Sequence, residues 1–218
     1  EGTFGIITEA TFHIQPAPAV SDYSGFLFCD FASGAAAIRR AVQEGLRAAM
    51  LRLSDAGETR FYRAFAAAGK KRGPKDWLTD FYLRYRKFDA NACALIAGFE
   101  GDRAEVERSK RRFTEIASAF GAISAGESPG KRWYQGRFHG PYLRDPLMDR
   151  GLGVDTLETA TSWSKIDALY AAVKKALEDT IRETAPRPGA QGSVGCHISH
   201  SYPDGASLYF TYIFPRAL

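Results

Sequence analysis

Near the end of the chain, SVGCHISHSY (193–202) and ASLYFTYIF (206–214) flank the tripeptide PDG. Both flanks are rich in β-branched and aromatic residues. Pro-Asp-Gly supplies a fixed φ, a side chain that bonds its own backbone, and a residue free to turn. A hairpin of this kind commits the sheet to antiparallel pairing, which excludes a purely parallel, doubly wound architecture. Ahead of it, SKIDALYAAVKKALEDTIRETA (164–185) carries the clearest helical apolar stripe, and GLGVDTLETATSW (151–163) begins as a strand.

The same order occurs earlier in the chain. SGFLFCDF (24–31) is apolar on both faces and reads as a central strand. Ser33 is placed to cap a helix over 34–48, where Ala37, Ile38, Ala41, Val42 and Leu46 form a stripe. MLRLSD (50–55) reads as a short strand leading into a helix at 56–68, and a further helix over 75–87 stacks Trp77, Phe81 and Tyr85. NACALIAGFEG (91–101) is an apolar strand, Asp102 caps a helix that runs to 119, and GAISAGE is a short strand. FGIITEATFHI (4–14) alternates at period two and predicts a strand, which QPAPAV ends. Residues 129–150 hold aromatics, Gly and Arg without a period, as a binding loop or irregular helix would. The expected class is α+β, an antiparallel sheet with helices packed on one face, built from ferredoxin-like split βαβ units.

With 218 residues, 45% apolar and 25% charged, the chain can bury a real core. No apolar run approaches the roughly 20 residues of a membrane helix. The net charge of +4 is mild, and its densest basic run, GKKRGPK (69–75), reads as a solvated loop more readily than as a nucleic-acid patch. Cys29, Cys93 and Cys196 are odd in number, far apart and set in apolar segments. They read as buried reduced thiols, which points to an intracellular protein, with a bacterial cytoplasm as the expected setting. The chain opens EGTFGI without Met or signal-peptide order, as an excised fragment would.

Four places could carry chemistry. Gly2 and Gly5 in EGTFGI lack the spacing of a nucleotide-binding glycine loop, yet their backbone would allow close approach by a planar ligand or its phosphates. An ordinary turn before a strand is the plainer alternative. Arg52 is a cation at an apolar strand end, suited either to anion or cofactor binding or to pairing with Asp55. Arg144 lies in FHGPYLRDPLMDRG, where it could contact phosphate or carboxylate bidentately or bridge locally to Asp145. The hairpin carries His197, His200, Tyr202, Tyr209 and Tyr212. Alternation places His197 with Ser199 and His200 with Ile198, so the two histidines do not make a metal pair. A strand tyrosine can move a proton, although most serve cross-strand packing.

EGTFGIITEA, LRLSD, YLRDPLMDRGLGVDTLETATSW and CHISHSYPDGASLYFTYIF, in that order, resemble the C-terminal region of the FAD-linked oxidases of the vanillyl-alcohol oxidase type. Within that family they are most similar to the alkyldihydroxyacetonephosphate (alkylglycerone-phosphate) synthase branch. The resemblance implies that residues 1–18 end an FAD-binding domain and 19–218 form a substrate-binding cap domain. It also implies that the main FAD domain and a histidine-rich stretch belong to a longer enzyme. Glu1, Gly2, Thr3, Phe4, Gly5, Ile6 and Ile7 would contact the flavin. Arg52 would stabilise charge near its reactive face, Arg144 and His197 would bind substrate, and Tyr209 would be the acid/base. The branch exchanges the acyl group of acyl-dihydroxyacetone phosphate for a long-chain alcohol, without net redox change, to make an ether-lipid precursor. FAD is the expected cofactor, to be absent from the fragment alone. The expected partners are the lipid substrates and the missing FAD domain, with a homodimer and a peripheral membrane contact besides, and no metal or nucleic acid. His197 stands where that branch is expected to carry arginine. This leaves an FAD-dependent 2-hydroxy-acid dehydrogenase or oxidase of the same fold as the alternative.

Overall fold

Burial at period two along the strands decides how this chain is layered. The computed structural model describes residues 3–14, 16–67, 90–187 and 189–217, with 73, 81, 83, 85, 86 and 88 between them. Among these residues the strands are β1 (Val20–Phe28), β2 (Met50–Ser54), β3 (Cys93–Gly101), β4 (Ile123–Gly126), β5 (Leu152–Ser162), β6 (Ser193–Ser201) and β7 (Gly205–Pro215). The α-helices are α1 (Phe31–Gln43), α2 (Ala56–Ala67), α3 (Arg103–Ala119), α4 (Glu127–Gly136), α5 (Arg144–Met148) and α6 (Ile166–Glu183).

The strands form one antiparallel sheet in the order β4-β1-β3-β2-β6-β7-β5. The order β4-β1-β3-β2, with crossovers α1 and α3, is one complete ferredoxin-like unit. β5, α6, β6 and β7 form a second strand–helix–hairpin unit, joined to the first where β2 pairs β6. Phe26 and Phe28, Leu51 and Leu53, Leu95, Ala97 and Phe99, and Cys196, Ile198, Leu208 and Phe210 all point to the same buried face. Helices α1, α3 and α6 cover that face through Ile38, Ala41, Phe113, Ile116 and Ile166. Apolar burial of this extent, worth about 25 cal/mol per Å², is the main stabilising term.

The opposite face is covered in part by α4, which lies over β1 and β3. Tyr23 stacks on Trp133 and tilts against Tyr134, with ring centroids 5.9 and 4.8 Å apart. A Cβ added at Gly130 would lie 2.2 Å from the Tyr23 carbonyl oxygen, so only glycine lets this helix seat so close. On the same side of the sheet, the surface over β2, β6 and β7 carries Arg52, His197 and Tyr209.

Several details correct the sequence reading. Residues 4–14 alternate as a strand should, yet the described ones form no strand. Phe4, Ile6, Ile7, Phe12 and Ile14 are all exposed, because period-two alternation specifies a strand only when a ladder partner is present. Helix α1 is capped by Asp30, whose Oδ1 accepts from the backbone N of Ser33 at 2.7 Å, so Ser33 lies inside the helix. The helix expected at 75–87 lies largely outside the described residues, as does GKKRGPK apart from Gly73. Residues 129–150 contain helices α4 and α5 and a 3-10 turn at Gly140–Leu143.

Candidate functional site

The end of β2 is where the chemistry gathers. Leu51 and Leu53 face the core, so alternation turns Arg52 to the opposite side. Ser54 pairs with His197 on β6, and His197 pairs in turn with Tyr209 on β7, which puts His197 and Tyr209 on the side of Arg52. The His197 and Tyr209 rings stack at 5.0 Å, 25° from parallel. One strand further, Glu158 of β5 pairs with Tyr209 and accepts a hydrogen bond from Ser199 Oγ at 3.0 Å.

Arg52 pairs with Glu58 rather than with Asp55. Its Nη2 donates to Glu58 Oε1 at 2.8 Å and lies 3.1 Å from His197 Nδ1. His197 Nδ1 is also 3.1 Å from Glu58 Oε1, so one carboxylate oxygen joins all three side chains. Glu58 and His197 are both buried, at 6% and 8% exposure. Burial alone would raise the Glu58 carboxyl, but the hydrogen bond with His197 and the charge of Arg52 outweigh it and hold the group below the usual range. Tyr62, one turn further along α2, feels the same cluster. Burial and the Glu58 charge push its phenol up, against the pull of Arg52.

Asp55 has other work. It is fully buried, and its Oδ2 accepts from Lys174 Nζ at 2.5 Å and Tyr170 Oη at 2.9 Å, both on α6. Its Oδ1 accepts from the backbone N of Glu58 at 2.8 Å and so caps α2. Tyr170 is pushed up by burial and by Asp55. The sequence DAGE (55–58) has the form of a capping box, in which Glu58 would reach back to the backbone N of Asp55. That N–H donates to Cys196 O at 2.7 Å instead, which frees the Glu58 carboxylate to meet Arg52 and His197. Glu58 was the residue missed in the sequence. A capping-box reading of DAGE directs its carboxylate to the Asp55 backbone, so the local sequence carries no signal for its pairing with Arg52.

Arg144 begins α5 and is exposed, and its side chain takes part in no hydrogen bond or ion pair among the described residues. It is not joined to the cluster at Arg52. Thr3, Phe4, Gly5, Ile6 and Ile7 are exposed and belong to no element, and Glu1 and Gly2 lie outside the described residues. Gly5 has φ 138°, and a Cβ built on it would meet nothing within 4 Å. No cluster of metal-ligating residues occurs among the described residues.

The family model for FAD linked oxidases, C-terminal domain, matches residues 17–217. The chain belongs to this family. It is 33% identical over 217 residues to an alkyldihydroxyacetonephosphate synthase of Dictyostelium discoideum, covering 97% of this chain and 34% of that protein. A synthase of the same name from Trypanosoma brucei brucei is 30% identical over 222 residues, covering 100% of this chain and 35% of its own length. An uncharacterized FAD-linked oxidoreductase of Escherichia coli is 25% identical over 218 residues, 97% of this chain and 40% of its own. A solved alkyldihydroxyacetonephosphate synthase superposes with a TM-score of 0.78 at 30% identity, over 92% of this chain and 36% of that one. The chain thus spans about a third of the length of the synthases it matches. The FAD-linked oxidase C-terminal fold, an α+β antiparallel sheet, agrees with the class expected from the hairpin and its helices.

FAD is implied by this family. Two features of the chain fit one side of such a group. The backbone at Gly5 is open, amid exposed apolar side chains that meet no core of their own. Arg52 is a cation with 19% of its side chain exposed, fixed by the buried Glu58 carboxylate of α2 on the sheet face opposite the core.

Proposed function

We propose that this chain is the substrate-binding part of an FAD-dependent enzyme of the alkylglycerone-phosphate synthase type. Such an enzyme exchanges the acyl group of acyl-dihydroxyacetone phosphate for a long-chain alcohol. One observation carries the reading. Arg52, His197 and Tyr209 gather on one face of the sheet, in a chain 33% identical to a synthase over nearly its whole length.

Each residue has a role in this reading. Arg52 is a fixed cation that stabilises negative charge developing near the reacting carbon. Tyr209 moves a proton at that carbon, and His197 holds the substrate beside it. Arg144, exposed and unpaired, takes the phosphate through its planar fork. Glu1 to Ile7 line the FAD, which when bound supplies an electron sink for the substrate carbon. In this reading residues 1–18 complete the FAD domain and 19–218 form the cap. The purified 218-residue chain is then colourless and inactive, and a stoichiometric yellow chromophore would contradict this. Burial pushes the Cys93 thiol up to about 12 and Cys196 up as well, so both stay protonated and inert near neutral pH, whereas Cys29 is only partly buried.

A second reading, an FAD-dependent 2-hydroxy-acid dehydrogenase, is favoured by the carboxylate-backed His197, which suits removal of a hydroxyl proton. Turnover by the full-length enzyme decides between them. Under the synthase reading Tyr209→Phe retains flavin but loses exchange, and Arg144→Ala raises KM for the phosphate ester. Tyr209→Phe with wild-type turnover would reduce Tyr209 to cross-strand packing.

A further inference from the structure

We infer that Glu58 is the positioning residue of this site, fixing which nitrogen of His197 carries a proton and where the guanidinium of Arg52 points. The inference deepens the reading above and rests on it only for the name of the reaction. Nδ1 of His197 stands 3.1 Å from both Arg52 Nη2 and Glu58 Oε1. Arg52 can only donate, and the carboxylate can only accept. With a proton on Nδ1, both close approaches to Glu58 Oε1, from Arg52 at 2.8 Å and His197 at 3.1 Å, are hydrogen bonds to one anion. Without that proton, Nδ1 would accept from Arg52 Nη2 at 3.1 Å, but its lone pair would face the Glu58 anion at the same distance. The anion decides the balance: Glu58 is only 7% exposed and its Oε2 has no partner, whereas Arg52 is 19% exposed and can turn an N–H to water. Glu58 therefore selects the Nδ1–H form.

The consequence lies on the other side of the ring. Nε2 makes no hydrogen bond among the described residues, and it is not sealed away, since the one buried unpartnered side-chain atom found there is Glu58 Oε2. In neutral His197 the free lone pair is then at Nε2, held in a ring stacked on Tyr209. The groups facing His197 come from three elements: Arg52 from β2, Glu58 from α2 and Tyr209 from β7. Glu58 is itself held rigidly. Its backbone N is bonded to Asp55 Oδ1, Asp55 is anchored to Lys174 and Tyr170, and Gly195 lets β6 approach its Cβ, where an added Cβ would come within 3.0 Å. A carboxylate that orients a histidine in this way acts through it and touches no substrate.

The test uses the full-length, FAD-loaded enzyme with 15N-labelled histidine. The His197 resonances, assigned by their loss in His197→Asn, should show a protonated Nδ1 and a bare Nε2 in the neutral ring. Glu58→Gln should relax that preference while flavin content stays unchanged, and Glu58→Asp should restore it in part. Turnover, measured both as alcohol exchange and as reduction of an electron acceptor, should fall about 10- to 100-fold in Glu58→Gln, mostly in kcat. A His197 protonated at Nε2 in the wild type would overturn the inference, as would a Glu58→Gln enzyme with unchanged tautomer and turnover. Because the resonances read the tautomer without any substrate, failure of the synthase reading leaves this test intact.

Discussion

The guanidinium of Arg52 meets the carboxylate of Glu58 at 2.8 Å, with only 19% and 7% of the two side chains exposed. An ion pair this far from water is costly to break from one side, because the remaining charge stays buried. Arg52→Ala should destabilise the chain by about 2–3 kcal/mol, less than a fully sealed pair because Arg52 keeps some contact with water. Chemical denaturation measures it. A loss below about 0.5 kcal/mol, the scale of an ordinary surface substitution, would mean that Glu58 is held by His197 alone.

The same carboxylate predicts an acid limb in stability. Glu58 is held below the ordinary value of 4.5, since the His197 hydrogen bond and the Arg52 charge outweigh the burial that would raise it. A depressed carboxyl stabilises the fold above its unfolded value and loses that contribution as pH falls through the depressed one. The urea midpoint should therefore drop as pH falls below 4.5. Glu58→Gln should flatten that limb, and an unchanged limb would place its origin elsewhere.

The fold was legible because its signals are local. The PDG hairpin, the stripe at 164–185 and the apolar alternation of Cys93–Gly101 each depend on neighbours a few residues away. The site was less legible because its pairings are long-range. Nothing near Arg52 in the chain distinguishes Asp55 from Glu58 as its partner. That choice depends on Cys196 O capturing the Asp55 N–H and on Lys174, 119 residues away, capturing the Asp55 carboxylate. The strand expected at 4–14 shows the opposite limit. Its alternation is real, but Phe4, Ile6 and Ile7 face no core in this chain.

Asp55 and Lys174 tie α6 to the start of α2, so their energies should be coupled. A double-mutant cycle of Asp55→Ala and Lys174→Ala should give about 1–3 kcal/mol of interaction. Additivity within about 0.3 kcal/mol would show that each side chain acts independently.

Helix α4 depends on one glycine. An added Cβ at Gly130 would sit 2.2 Å from the oxygen and 2.3 Å from the carbon of the Tyr23 carbonyl, which is backbone and cannot step aside cheaply. Gly130→Ala should cost about 1–3 kcal/mol and loosen the stacking of Trp133 on Tyr23, read from tryptophan fluorescence. A neutral substitution would show that α4 shifts freely over β1.

On the proposed synthase reading, the face carrying Arg52, His197 and Tyr209 serves acyl-for-alkyl exchange. The most direct measurement gives the full-length enzyme acyl-dihydroxyacetone phosphate and a labelled long-chain alcohol with no electron acceptor. Label should then appear in an alkyl ether of dihydroxyacetone phosphate, with one fatty acid released for each alcohol incorporated. An enzyme that incorporates no label, and turns over only a 2-hydroxy acid while reducing an added acceptor, would contradict it.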